Sequence, residues 1–292
     1  MNCNLCPRGC NVNRATTVGR CGVSEIITVS RAALHKWEEP CVSGTNGSGT
    51  IFFSGCPLGC DFCQNFSISN KVVGKQIQPN RLYDIMFELK SNGAHNINLV
   101  TADHFALQLA PVIKRAKQDG LGIPVVLNTS SYITKSTLSL LDSFIDVYLA
   151  DFKFMSPALS QKYCAAPDYP DVVKESIDFM VQHHNKPIFE NGLIKSGVIV
   201  RVLIMPNNLI DAKRIIKYLC DRYGDKIIIS VMSQYTPMPN CKHTELSRPI
   251  NECEYTSIKK YLASFDIKYG YLQEFGSNGT KYIPDFSNFE GV

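Results

Sequence analysis

The chain has no uninterrupted apolar run of the roughly 20 residues that a helix needs to cross a bilayer. The residues from Met1-Asn2-Cys3 onward are polar, so no apolar leader is expected, and the chain reads as soluble and cytoplasmic with no membrane partner. It also has no long block of like charge. With 30 Lys and Arg against 26 Asp and Glu, the net charge of +4 is too small to call for nucleic acid. No G-x-G-x-x-G follows the first expected strand, which removes support for a dinucleotide-binding fold. No internal repeat is evident beyond a strand–helix period, and no segment is low in complexity. The 292 residues, 45% of them hydrophobic, suffice for one large α/β barrel or two smaller domains.

What the chain does have is cysteine, unevenly placed: eight of twelve fall before residue 64. In a chain without a leader, clustered cysteines point to metal rather than disulfides. The densest group is Cys56-Pro-Leu-Gly-Cys60-Asp-Phe62-Cys63, a C-x3-C-x-Φ-C spacing. Three thiolates cannot fill the four iron positions of a cubane cluster, so such a cluster keeps one iron free to bind something else. A second group, Cys3-x2-Cys6-Pro-Arg-x-Cys10 and then Cys21, is a closed set of four thiols. It suits structural zinc or a second iron–sulfur cluster, and free thiols remain the plain alternative. Cys41 reads as an extra ligand or a buried thiol. Cys164, Cys220 and Cys253 read as core or surface thiols, since free cysteine packs as a small hydrophobe.

Beyond the cysteines, short β-branched runs alternate with amphipathic stretches. Strands are expected at 50–53, 96–100, 123–128, 146–150, 198–205 and 226–231, with one more at 267–272. Helices are expected at 81–90, 105–117, 135–141, 172–183, 210–223 and 251–264. This alternation implies parallel strands with helical crossovers, either an open doubly wound sheet or a barrel or partial barrel. Gly44, Gly47 and Gly49 precede the first strand and read as a flexible turn.

In parallel α/β folds ligands sit at the carboxyl ends of the strands. Those ends carry the cysteine loop, then Thr101-Ala102-Asp103-His104, Asn128-Thr129-Ser130-Ser131, Asp151-Phe152-Lys153, Arg201 with Pro206, and Ser233-Gln234-Tyr235. A carboxylate, a lysine, an arginine and several amides and hydroxyls suit a zwitterionic ligand bearing a ribose. Arg201 can take a carboxylate in bidentate fashion. His104 reads as a residue near the substrate or as a helix start. His35 with Glu38-Glu39 reads as support for a metal, as the substrate entrance, or as a solvated acidic turn.

The Cys56-x3-Cys60-x-Phe62-Cys63 motif resembles the signature of the radical S-adenosylmethionine enzymes. Within them the chain is similar to the pyruvate formate-lyase-activating enzyme group with a cysteine-rich N-terminus. Leu34-His35-Lys36-Trp37-Glu38-Glu39-Pro40-Cys41, the run from Gly47 to Cys56, and Cys63-Gln64-Asn65 carry that likeness. The resemblance implies a partial (β/α)6 TIM-like barrel over 46–292 behind a small cysteine-rich metal-binding extension over 1–45. It implies a 4Fe–4S cluster on Cys56, Cys60 and Cys63, whose open iron is chelated by S-adenosylmethionine. One electron then yields a 5′-deoxyadenosyl radical that removes a hydrogen atom from the substrate. Carried over by position, Phe62 contacts adenine. Thr101 and Ala102 stand where a Gly-Gly-Glu segment is expected, and Asn128 and Ser130 lie near the methionine or ribose. Asp151 and Lys153 lie at the cofactor, Arg201 meets the carboxylate, and Gln234 or Tyr235 stands where a histidine is expected. The implied partners are a glycyl radical enzyme and an electron donor such as flavodoxin or ferredoxin. Two other readings stay open: a radical enzyme acting on a small molecule, nucleotide or peptide, and a non-catalytic iron–sulfur carrier or zinc-stabilised module.

Overall fold

The computed structural model describes residues 2–292. Ten strands form one sheet: β1 (Thr28–His35), β2 (Ser48–Phe53), β3 (Lys75–Gln76), β4 (Ile97–Val100), β5 (Val125–Thr129), β6 (Val147–Asp151), β7 (Ile188–Glu190), β8 (Leu193–Leu203), β9 (Ile228–Met232) and β10 (Gly270–Leu272). Their order is β10-β9-β8-β6-β5-β4-β2-β1-β3, with β7 paired to β8. From β2 through β10 along this path all neighbours are parallel, so seven strands make the curved wall of a partial TIM-like barrel. Among the described residues no pairing joins β3 to β10, and the sheet stays open.

All six parallel strands expected from the β-branched runs are present, and Gly270–Leu272 adds the seventh. Residues such as Ile51, Leu99, Leu127, Ala150, Val200 and Ile229 are buried because crossover helices cover that face of the sheet, while Leu149 packs on the other face with Val126, Val147, Ile199 and Ile228. The helix Pro79–Ser91 starts on a proline and buries Leu82, Ile85, Met86 and Leu89 on one face. The helix Glu252–Leu262 opens with a capping box between Asn251 and Glu254. Among the described residues no helix is long and apolar enough to cross a membrane.

Three features depart from the sequence reading. β1 pairs antiparallel with β2, so residues 28–35 of the expected extension belong to the sheet. β7 and β8 form a hairpin. Gly49 is not in a turn but inside β2, where an added Cβ would stand 2.8 Å from the Asn96 carbonyl oxygen; glycine permits that close approach.

Candidate active site

β2 ends at Phe53 and the chain turns at once into the cysteine loop. Gly55 makes this turn possible: its φ is +83°, and a Cβ there would come within 2.5 Å of the Cys21 carbonyl oxygen. The loop is tied by backbone bonds from Gly55 N–H to Ile68 O (2.7 Å), Cys56 N–H to Cys21 O (3.3 Å), Asp61 N–H to Tyr163 O (3.0 Å) and Cys63 N–H to Cys60 O (3.2 Å). Arg8 clamps it from outside, donating to the carbonyls of Pro57, Leu58, Cys164 and Ala165.

The loop opens into a cavity of about 440 Å³ inside the barrel. Cys56, Cys60 and Cys63 line it, together with Phe62, Thr101, Asn128, Ser130, Asp151, Lys153, Arg201, Gln234 and Tyr235. Strand-end residues from Thr101 to Tyr235 thus face the same space as the three thiols, as parallel strands with their ends aligned require. Ala102 is buried in the core and does not line the cavity. His104 is also buried away from it, bonded through Nε2 to the Ser54 carbonyl at 2.9 Å. Burial and the nearby Arg14 lower its pKa to about 3, which leaves a neutral structural imidazole.

Thr101 lies at φ +57°, a left-handed conformation unusual for a β-branched residue, with its N–H held by Asn128 O at 2.9 Å. Such strain at a strand end is tolerated where the surroundings fix it and is concentrated at functional sites. Phe62 packs edge-on against Phe154 and Tyr163, so its ring is fixed. Asp151 and Lys153 form an ion pair at 2.6 Å. Burial disfavours the ammonium, but Asp151 beside it holds the lysine above its ordinary pKa.

Arg201 has a carboxylate, and it comes from this chain. Its guanidinium binds Glu39 through Nε at 2.9 Å and Nη2 at 2.6 Å, and Nη2 also meets Glu38. Asn98 donates to Glu38 at 3.0 Å. Glu38 and Glu39 both line the cavity and are not a solvated acidic turn. Burial pushes the Glu39 carboxyl up, but Arg201 more than offsets this and holds it below the ordinary value. Trp37, Ser69, Tyr271 and Tyr282 also line the cavity and were not singled out by the sequence reading as ligand contacts. Their only sequence signal was Trp37's place in the Leu34–Cys41 phrase.

The residues fit an iron–sulfur cluster with a polar ligand. Burial above all raises the Cys56 thiol to about 12 and raises Cys63. Buried thiols of this kind are inert unless a metal cation repays the cost of ionisation. Ser69 Oγ donates to Cys63 Sγ at 3.4 Å. Ser130 Oγ and Asn65 Oδ1, both on the cavity wall, are buried without a partner, as polar groups awaiting a ligand would be. Among the described residues no three His, Cys, Asp or Glu side chains converge on a single-ion site.

The Radical SAM superfamily (SAM, S-adenosylmethionine) matches this chain over residues 50–219, which span the cysteine loop and the strands from β2 to β8. The chain belongs to the radical SAM superfamily. That membership implies a 4Fe–4S cluster and S-adenosylmethionine. An uncharacterized protein of Methanocaldococcus jannaschii, MJ0674, is 31% identical over 270 residues, 89% of this chain and 73% of that protein. Among solved structures, methylornithine synthase (PylB) is similar with a TM-score of 0.53 and 14% identity, covering 80% of this chain. Streptococcus suis SuiB is similar with a TM-score of 0.51 and 11% identity, covering 79%. The chain spans 63% of the former and 49% of the latter, and at these identities the likeness shows the fold alone.

Of the N-terminal thiols, Cys10 and Cys21 lie near each other: a Cβ on Gly19 would be 3.4 Å from Cys10 Sγ and 3.9 Å from Cys21 Sγ. Cys6 is pushed up to about 12, by burial first and also by the neighbouring thiols Cys10, Cys21 and Cys3. Cys41 is buried away from both groups, beside Val42 and Ile194.

Proposed function

We propose that this chain is a radical SAM enzyme of the activating-enzyme type, with Cys56, Cys60 and Cys63 as cluster ligands. The observation that carries this reading is the shared cavity: three loop thiols and the polar strand ends Asn128, Ser130, Asp151 and Lys153 face one space. When bound, the cluster and S-adenosylmethionine supply one-electron cleavage and a hydrogen-abstracting 5′-deoxyadenosyl group. The chain's own part is to hold and enclose. Phe62, fixed by its aromatic neighbours, offers a face for adenine. Asn128, Ser130 and Gln234 offer hydrogen bonds to sugar and methionine groups. The Asp151–Lys153 pair sets a fixed dipole beside Cys60, whose thiol feels both charges. The apolar wall of Phe52, Leu58 and Ile68 excludes water from the reacting centre.

For the substrate, the reading is a glycine of a partner glycyl radical enzyme, with flavodoxin or ferredoxin as electron donor. It is supported by the Leu34–Cys41 phrase, whose Glu38 and Glu39 reach the cavity, and by a sheet that does not close on itself. For residues 1–45 the reading is a second centre on Cys3, Cys6, Cys10 and Cys21, zinc or iron–sulfur, supported by the nearness of Cys10 to Cys21 and by the influence of the other three thiols on Cys6, although the four do not converge on one point in this structure.

The test is anaerobic. The reconstituted chain, given dithionite and S-adenosylmethionine, is expected to release 5′-deoxyadenosine, and Cys60→Ala to release none and to lose iron. No product, and no change in the cluster spectrum on adding S-adenosylmethionine, would sink the enzyme reading. A glycyl radical signal on an added glycyl radical enzyme tests the substrate. Iron and zinc content of wild type and Cys6→Ser tests the second centre.

A further inference from the structure

We infer that Cys164 is a positioning residue for the three-cysteine centre: its thiol donates a hydrogen bond to the Cys60 sulfur and tunes the reduction of a cluster held there. The inference rests on the cluster reading above and adds a residue outside the C-x3-C-x-Φ-C motif. The two sulfurs are 3.3 Å apart, and Cys164 and Cys60 are 2% and 7% exposed.

The two backbones that carry the contact are fixed relative to each other. Cys164 is the last residue of the helix Pro157–Cys164. That helix begins on the Ser156 cap and is stopped by Ala165 in a left-handed conformation. Its end is tied to the cysteine loop twice. Asp61 N–H donates to Tyr163 O at 3.0 Å. Arg8 bridges Leu58 O at 3.0 Å and Cys164 O at 2.8 Å with one nitrogen. Both ties lie next to Cys60 and Cys164 in sequence, so the two segments are held side by side where the sulfurs meet.

The chemistry follows from where the electron goes. Reduction of an iron–sulfur cluster adds negative charge that spreads onto its ligand sulfurs. A hydrogen bond to one of those sulfurs stabilises the reduced form and raises the potential. Cys164 would act as a hydrogen-bond donor to a ligand sulfur and not as a fourth ligand.

The experiment compares Cys164→Ala and Cys164→Ser with wild type in the full chain, reconstituted anaerobically. Iron content and the midpoint potential of the cluster are read by titration followed by electron paramagnetic resonance. All three are expected to hold the same iron. Cys164→Ala should have a lower potential, shifting the oxidised-to-reduced ratio about tenfold at fixed potential, or ~59 mV for one electron. Cys164→Ser keeps a donor and should stay near wild type. If Cys164→Ala does not load iron, the near-isosteric pair Cys164→Thr and Cys164→Val makes the same comparison without a cavity. Full iron with an unmoved potential in the variants that lack a donor overturns this inference alone. A wild-type chain that takes up no iron removes the cluster reading, and this inference with it.

Discussion

Arg201 is the only cation bonded to two carboxylates at the cavity wall among the described residues, and Arg201→Leu should expose what it holds in place. The side chains of Arg201, Glu38 and Glu39 are 12%, 8% and 5% exposed, so this is a buried network and not a surface pair. Removing one partner of a buried pair costs about 3–5 kcal/mol, because the remaining charge is stranded out of water. Here two carboxylates lose their cation together, so the upper part of that range is expected. The pH dependence carries a sign. In wild type the Glu39 carboxyl lies below its ordinary pKa. Its contribution is therefore present above the unfolded carboxylate pKa and is lost as pH falls through the folded value. Without Arg201, burial, the largest influence on Glu39, is opposed only by hydrogen bonds from Ser230 and the backbone, and it lifts the carboxyl pKa. Its folded form then favours the neutral acid, and stability is lost as pH rises. The gap between wild type and variant should thus be widest near pH 8 and should narrow toward pH 4. Urea unfolding at several pH values reads this directly. Adding Glu38→Gln and Glu39→Gln to Arg201→Leu should recover most of the loss. A gap below about 1 kcal/mol, or one that does not change with pH, would refute the reasoning, since it would place the network in the range of exposed pairs.

Asp103 is fully buried, accepts a bond from Thr129 Oγ1 at 2.7 Å, and leaves Oδ1 unpartnered. Burial raises its pKa to about 7, so it costs stability as pH rises from the unfolded carboxylate value through 7. Asp103→Asn keeps the acceptor for Thr129 and should be the more stable protein at pH 8, with the difference vanishing near pH 4; calorimetric melting at the two pH values checks it. Arg8→Met removes donors to four carbonyls that bracket Cys60. It should speed amide hydrogen exchange at Asp61 and Cys63 at least tenfold, equivalent to about 1.4 kcal/mol of local opening, while exchange in β5 and β6 stays as in wild type. Unchanged exchange in the loop would show that Arg8 is not its clamp.

How much of this was legible in the sequence differs by physical cause. The parallel strands announced themselves because strands buried on both faces must be continuous apolar runs, as in Val198-Ile199-Val200 and Ile227-Ile228-Ile229. The cysteine loop was legible because its spacing is local. β1 was not, since Ser30, Arg31 and His35 interrupt its pattern and its partner β2 supplies the order. The helix Pro157–Cys164 is two turns long and weakly amphipathic, too short to mark itself by periodicity. The partners of Arg201 lie 162 and 163 residues away, and the contact between Cys60 and Cys164 spans 104. No local pattern encodes such pairings; only the curvature of the sheet brings them together. Cys164 was therefore readable as an ordinary packed thiol, and its buried state alone would have supported that.

The N-terminal cysteine segment and the cysteine loop cannot be treated as independent pieces. Arg8, set between Cys6 and Cys10, reaches the loop on one side of Cys60 and the helix end carrying Cys164 on the other. Cys21 accepts the Cys56 N–H through its carbonyl, at the point where Gly55 allows the approach. Arg14 donates to the carbonyls of Val23, Ser24 and His104, which ties the same segment to the end of β4. The segment that holds four thiols of its own thus fixes the backbone of Cys56, the flanks of Cys60 and the donor to Cys60. Whatever orders residues 3–21, whether packing alone or a bound metal, also sets the rigidity of the three-thiol loop. Loss of thiols in the first group should therefore loosen the second even where no ligand of the second has changed.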